Sequence, residues 1–439
     1  MLTLLCAGAI ALLLVLILFR ITSVVVALTL VPVAAAVIGG FSGQVGAFAL
    51  EGIRSVAPVA ALLAFAVIYF GIMNDAGLFA PLIRALVRMV GTDPVKIVVG
   101  TTAVAAVAHL DGAGASTFMV TIPAMLPLYR RARMDPLSLA CATSLAAGTM
   151  NMLPWGGPTT RAAAALHVGA TELFVPVLPA MIAGLGAAFG FAVIIGRRER
   201  ARLQSAPAFV DPEDPAVDTG AGELREDALA APRIGPVWVF NAVLTIVTLT
   251  ALFLDTVPAS VVFVIASALA LVVNYPDARH QRERLDGHGT AAMQMVTTIF
   301  AAGMFTGVLT KSGMMSALAG DIVGVLPDAM LQHLSVPLAL ASMPLSLTFD
   351  PDSFYFGLLP VLANAAQGAG GSAIEAGRAA VLGQMTTGFP VSPLTPATFL
   401  LVGLAGVDLA DHQRRTIPYA FGVTAVMTVA AVVTGAIRW

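Results

Sequence analysis

Long apolar runs without a single charge, parted by short polar joints, make up most of this chain. They occupy 2–19, 21–50, 55–74, 112–129, 136–160, 173–196, 234–254, 256–276, 291–310, 329–349, 353–374, 379–407 and 416–437, with a shorter one at 97–110 before Asp111. About 20 mostly apolar residues cross a bilayer as a helix, so the pattern predicts many transmembrane spans. Residues 197–233 break it. RRERAR opens them and Pro, Asp, Glu and Gly follow, a composition that cannot bury apolar surface and reads as a flexible linker.

Composition sharpens this reading. Of 439 residues 58% are hydrophobic and only 11% charged, whereas a soluble chain carries about 25% charged residues. A water-facing surface cannot be built from that stock, which excludes an ordinary soluble enzyme. A net charge of −2 with no basic stripe excludes a nucleic-acid partner. Cys6 and Cys141 both lie in apolar runs and supply neither a disulfide framework nor a thiolate metal site. Residues 2–19 lack a basic leader and read as a retained span rather than a cleaved signal. The expected fold class is an all-α polytopic membrane protein.

The chain also repeats itself. Gly71 and Gly77 are spaced as Gly307 and Gly313, an offset of 236 that sets Asp75 on Lys311. Ser116-Thr117-Phe118 falls on Ser353-Phe354-Tyr355 and Pro123 on Pro360 at 237. Asn151-Met-Leu-Pro154-Trp-Gly156-Gly-Pro-Thr159 falls on Thr387-Gly-Phe-Pro390-Val-Ser392-Pro-Leu-Thr395, again at 236. The units are then 1–196, a cytoplasmic linker 197–233, and 234–439. Each repeat is expected to hold about five crossings, a re-entrant hairpin and a broken helix. In the first, crossings lie at 2–19, 21–40, 55–74, 135–165 and 172–196 with a hairpin at 95–130. In the second they lie at 234–254, 258–275, 291–310, 374–408 and 416–437 with a hairpin at 329–371. This arrangement leaves 18 basic residues on the cytoplasmic side and four outside, as the positive-inside rule asks. An odd number of crossings turns the second repeat upside down, a transporter signature.

Candidate chemistry collects where these spans are interrupted. His109-Leu-Asp111-Gly112-Ala-Gly114-Ala-Ser116-Thr117 and Thr348-Phe-Asp350-Pro-Asp352-Ser353 are polar turns between the apolar arms of the two hairpins. A carboxylate at membrane depth is costly unless it meets water, a partner or a ligand, so Asp111, Asp350 and Asp352 are candidates to hold a metal or a proton. Gly112, Gly114, Ser116, Thr117 and Ser353 add tight turns, amides and hydroxyls at the same tips. Pro154, Pro158, Pro390, Pro393 and Pro396 break two further spans. Broken backbone at that depth must be buried in protein or line a cavity, where it frees backbone groups for a ligand. Asn151, Gly156, Gly157, Thr159, Thr387, Ser392 and Thr395 are the expected substrate contacts there, with Arg161 as the carboxylate-binding fork. Asp75 and Lys311 read as interface residues; His109 and His412 are candidates for proton relays, although a lone histidine is more often structural. No phosphate loop, triad or HExxH pattern supports an enzyme.

Asp111–Tyr129 (DGAGASTFMVTIPAMLPLY), Asn151–Arg161 (NMLPWGGPTTR) and Ser392–Gln413 (SPLTPATFLLVGLAGVDLADHQ) resemble the metal–citrate:proton symporters called CitMHS, within the ion-transporter superfamily. The resemblance implies proton-coupled uptake of citrate chelated to a divalent cation of the Mg or Ca class, with no permanent cofactor. It implies a multi-pass protein of the cell inner (plasma) membrane, a homodimer with a scaffold and an elevator-like transport domain. Substrate would sit between the hairpin tips and the broken helices. Sodium-coupled relatives carry Ser-Asn-Thr at their tips; here Ala-Ser-Thr and Asp-Ser-Phe stand there, which favours protons. The alternative is a proton- or sodium-coupled carrier of another di- or tricarboxylate or a gluconate-like anion.

Overall fold

The computed structural model describes residues 1–19, 21–205, 235–254, 257–325 and 331–439, and these are helical throughout apart from their turns. In the first half α1 (Leu2–Leu18), α2 (Val24–Ile38) and α3 (Val45–Asp75) precede a short α4 (Ala80–Val90). A hairpin of α5 (Pro94–Ala108) and α6 (Gly114–Arg131) follows, then a helix broken into α7 (Pro136–Met150) and α8 (Gly157–Leu166), then α9 (Ala170–Ser205). The second half has the same order. It runs α10 (Pro236–Leu254), α11 (Ala259–Asn274), α12 (Ala278–Lys311) and short α13 (Met314–Val325). A hairpin of α14 (Ser335–Leu345) and a π-helical turn (Ser353–Leu358) continuing as α15 (Leu359–Gly368) comes next. The broken pair α16 (Ala373–Val381) and α17 (Pro396–Ala405) and finally α18 (Leu409–Val433) complete it.

Helix starts follow local chemistry. Asp93 and Asp135 each precede a proline that cannot donate anyway, and each carboxylate accepts the N–H two residues on, at 3.0 Å from Val95 and 2.9 Å from Leu137. Five described helices are long and apolar enough to cross a membrane, within Val45–Asp75, Pro94–Asp111, Ala170–Ser205, Ala292–Lys311 and Leu409–Val433. Large apolar side chains such as Leu30, Ile246 and Val272 face outward. Both features are those of a membrane protein.

Two packing groups emerge. α3 and α12 lie against each other at the centre of one, with α2 and α11 beside them and α1 and α10 outside. Their backbones nearly touch: a Cβ on Gly52 would come 2.1 Å from the Gly303 carbonyl, so only glycine fits, and Gly303 and Gly307 form the small-residue face opposite. The pair runs antiparallel with an ion pair at each end. Asp75 meets Arg284 (3.2 Å) and His288 (3.0 Å) at one, and Lys311 meets Glu51 at the other. Asp75 and Lys311 thus each close one end of this helix pair. The second group gathers α5–α7, α9 and α14–α18, and α8 leans from it onto α3 and α12.

Three expectations need correction. Two spans start earlier, α3 at Val45 rather than 55 and α12 at Ala278 rather than 291. Residues 197–205 are helix, not linker, because their charges find partners on neighbouring elements. Arg200 holds Asp93 at 2.6 Å, Arg198 donates to Tyr419 at 2.6 Å and Arg202 to the Arg133 carbonyl at 2.7 Å. Buried Glu199 accepts from the Ser138 hydroxyl at 2.8 Å. The rest of the expected linker, with Arg225 and Arg233, and also Arg20, lie outside the described residues.

Candidate functional site

The first hairpin tip is a tight turn closed by Asp111. Its carboxylate accepts the Ala113 N–H at 2.8 Å and the Ser116 hydroxyl, covering the start of α6. Gly112 holds φ +72°, and a Cβ there would press to 2.9 Å of the Trp155 ring. Trp155, in the break between α7 and α8, donates from Nε1 to the Leu110 carbonyl at 2.9 Å. Its ring stacks on Phe70 of α3 at 5.2 Å and meets Phe263 of α11 edge-on at 5.4 Å. Gly114 opens α6 against Phe389 of the second break.

Behind this tip a buried polar chain joins the two breaks. Asn151, at the C-cap of α7, donates from Nδ2 to the Met385 carbonyl at 2.6 Å, which fixes its amide orientation. Its Oδ1 therefore accepts from His109 Nε2 (3.2 Å), and His109 Nδ1 shares a 2.8 Å hydrogen bond with the Thr117 hydroxyl. His109 is fully buried and settles into this structural chain. Met385 has φ +55°, a left-handed conformation rare for a side chain of its size, and marks the point where the second break reaches the first.

At the second hairpin tip Asp350 plays the part of Asp111. One oxygen accepts from the N–H groups of Asp352 (3.0 Å) and Ser353 (3.1 Å), the other from the Ser353 hydroxyl at 2.5 Å. Asp352 is different. It accepts from Arg161 Nε at 2.7 Å, the two side chains being 17% and 16% exposed. Arg161 stands one turn into α8, whose first residue Gly157 leaves room for Met385 and the guanidinium, while Gly156 just before it lies against the Asn151 carbonyl. Its Nη1 lies 3.4 Å from the Gly157 carbonyl and 3.7 Å from Met385 Sδ. The first break thus touches both tips, through Trp155 and through Arg161.

The remaining expected contacts are buried within the protein, three of them with hydroxyls already hydrogen-bonded. Thr159 turns its hydroxyl back to the Met152 carbonyl at 2.6 Å. Thr387 shares a 2.5 Å hydrogen bond with Thr424 of α18, and Ser392 donates to the Ser346 carbonyl at 2.5 Å at the base of the second hairpin. Thr395 is buried at the start of α17. Among the described residues no three His, Cys, Asp or Glu side chains gather as a metal cage, so Asp111, Asp350 and Asp352 do not form one ligand set. His412, like His109, is buried and hydrogen-bonded within the protein: its Nε2 donates to the Pro390 carbonyl at 2.9 Å. Sequence reasoning missed Met385 and Gln384. Gln384 is fully buried, donates to the Phe349 carbonyl at 3.3 Å and leaves Oε1 without a partner. Neither carries a sequence signal beyond its place in a proline-rich break.

The break between α7 and α8 thus reaches both hairpin tips inside an apolar bundle, through Trp155 at the first and an arginine–carboxylate pair at the second. The proteins this chain resembles are membrane transporters rather than enzymes. The chain belongs to the citrate transporter family CitMHS, whose profile matches residues 11–383. It is 44% identical over 417 residues, 95% of each chain, to a citrate transporter of Bacillus subtilis (strain 168). It is 39% identical over 416 residues, 94% of each chain, to a Mg(2+)/citrate complex secondary transporter of the same organism. Its fold matches the crystal structure of the Alcanivorax borkumensis YdaH transporter, with TM-score 0.64 at 16% identity over 99% of this chain and 98% of that one.

Proposed function

We propose that the protein takes up citrate as a complex with a divalent cation of the Mg or Ca class, in symport with protons, across the cell inner membrane. The observation that carries this reading is Arg161, which lies between the first break and the second hairpin tip and is paired with a carboxylate at 2.7 Å. A guanidinium held in such a place suits a carboxylate-bearing substrate, and the start of α8 adds favourable dipole for an anion. Free citrate is trivalent at neutral pH and costly to desolvate, whereas one divalent cation leaves the complex with a single negative charge. The relative named as a Mg(2+)/citrate transporter supports the same choice.

Protons are the proposed coupling ion because Asp111, Asp350 and Asp352 bring carboxylates to membrane depth while the tips read Ala115-Ser116-Thr117 and Asp352-Ser353-Phe354. The repeated element order and the matched offsets support two inverted repeats. In that arrangement α1–α3 and α10–α12 are a dimeric scaffold, and the second packing group moves as an elevator. The test is radiolabelled citrate uptake in proteoliposomes with each divalent cation in turn. Uptake should need the cation, stop with excess chelator, collapse with a protonophore and ignore sodium. Undiminished uptake of metal-free citrate, or a strict sodium requirement, would overturn the corresponding part.

A further inference from the structure

We infer that Asp352 is the resident counter-ion of Arg161 in the empty carrier and that a substrate carboxylate takes its place on the guanidinium. The inference rests on the citrate reading above. Arg161 brings a guanidinium charge, and an unpaired charge in a low-dielectric interior is expensive. Asp352 supplies the balancing charge at 2.7 Å, from the tip of a different hairpin, so the same bond neutralises Arg161 and closes that tip onto α8. The other contacts of the guanidinium are neutral, a carbonyl and a thioether. Asp350, the nearest carboxylate in sequence, is tied into its own turn by two N–H groups and a hydroxyl.

A substrate carboxylate reaching Arg161 must therefore compete with Asp352. Two opposite consequences follow from removing that competitor. The loaded state gains, because no internal ligand has to be displaced. The empty state loses, because Arg161 must then cross the membrane interior without compensation. Tighter binding together with slower return of the empty carrier is a combination that mere loss of structure does not produce.

The experiment compares full-length wild type, Asp352→Asn, Asp352→Glu and Asp350→Asn with magnesium–citrate as probe. Binding is read by calorimetry on purified protein. Net uptake and citrate–citrate exchange are read in the same proteoliposomes, so that their ratio is independent of the amount of folded protein. Asp352→Asn should lower Kd about fivefold or more and lower the ratio of net uptake to exchange by a similar factor. Asp352→Glu should keep both near wild type, because the pair can re-form. Asp350→Asn removes an equal charge without touching Arg161 and should not tighten binding. Should Asp352→Asn fail to insert, Asp352→Ala is held to the same expectations. An unchanged or raised Kd, an equal loss of uptake and exchange, or equal tightening by Asp350→Asn overturns the inference alone. A wild-type protein that neither binds nor moves magnesium–citrate overturns the citrate reading and this inference with it.

Discussion

At the first hairpin tip Asp111 closes the turn, and the Trp155 ring holds it through a hydrogen bond to Leu110 and packing on Gly112. At the second, Asp350 closes a similar turn, but the tip is held by an ion pair from Asp352 to Arg161. Both anchors come from the same broken segment. An aromatic anchor gains its stability from apolar burial that no small anion can replace. An arginine–carboxylate bond is one that another carboxylate can replace by equal chemistry. The first tip is built to stay and the second to exchange partners.

The largest effect that would break this comparison is at the exchangeable anchor. Arg161→Gln should lower citrate uptake about 100-fold or more, since truncating one partner of a buried charge pair also strands the other. Uptake in proteoliposomes at matched protein content measures it, and near-normal rates would remove Arg161 from the site. At the permanent anchor Trp155→Ala should cost about 3–5 kcal/mol, read as a lower melting temperature in detergent. Trp155→Phe should recover most of that and leave the Leu110 carbonyl short of a donor, at about 1 kcal/mol. A Trp155→Ala protein as stable as wild type would show that the first tip is held some other way.

Smaller effects separate shape from charge. Asp111→Ala should cost about 1 kcal/mol through the lost cap on α6, and Asp111→Asn should restore most of it, because Asn accepts the same N–H. If Asn were as damaging as Ala to stability, the carboxylate would be doing more at this tip than closing the turn. The smallest effect is expected at the far end of the same hairpin. Asp93→Ala removes the cap on α5 and the pair to Arg200, about 1 kcal/mol or less. The hydrogen bond from Arg200 holds the Asp93 carboxyl below its ordinary range. A lowered carboxylate stabilises above its unfolded pKa near 4 and loses that contribution as pH falls through the folded value. The stability gap between wild type and Asp93→Ala should therefore be constant at neutral pH and close only in acid.

Much of this was legible in the residues. The hairpin arms at 95–130 and the first break after Met150 agree with α5, α6 and the α7–α8 gap to within a residue or two, because Pro and Gly punctuate apolar helices for backbone reasons that act locally. The tip aspartates were visible as polar turns. Their division of labour was not. Asp350 and Asp352 look alike in the sequence, and nothing local says that one is spent on its own turn while the other reaches an arginine 191 positions away. The helical state of 197–205 was hidden for the same reason, since a run of charges is solvated or paired according to what lies beside it.

By itself the sequence determined the membrane setting, the family, the places where helices must break and the repeated order of elements. Each of these depends on composition or on the conformational limits of single residues. Only the tertiary structure decided which anchor holds which tip, that Asn151 and Met385 join the two breaks, and that Gly52 meets Gly303. Those are contacts between distant segments, and their energies depend on distance, burial and partner geometry that no local pattern encodes.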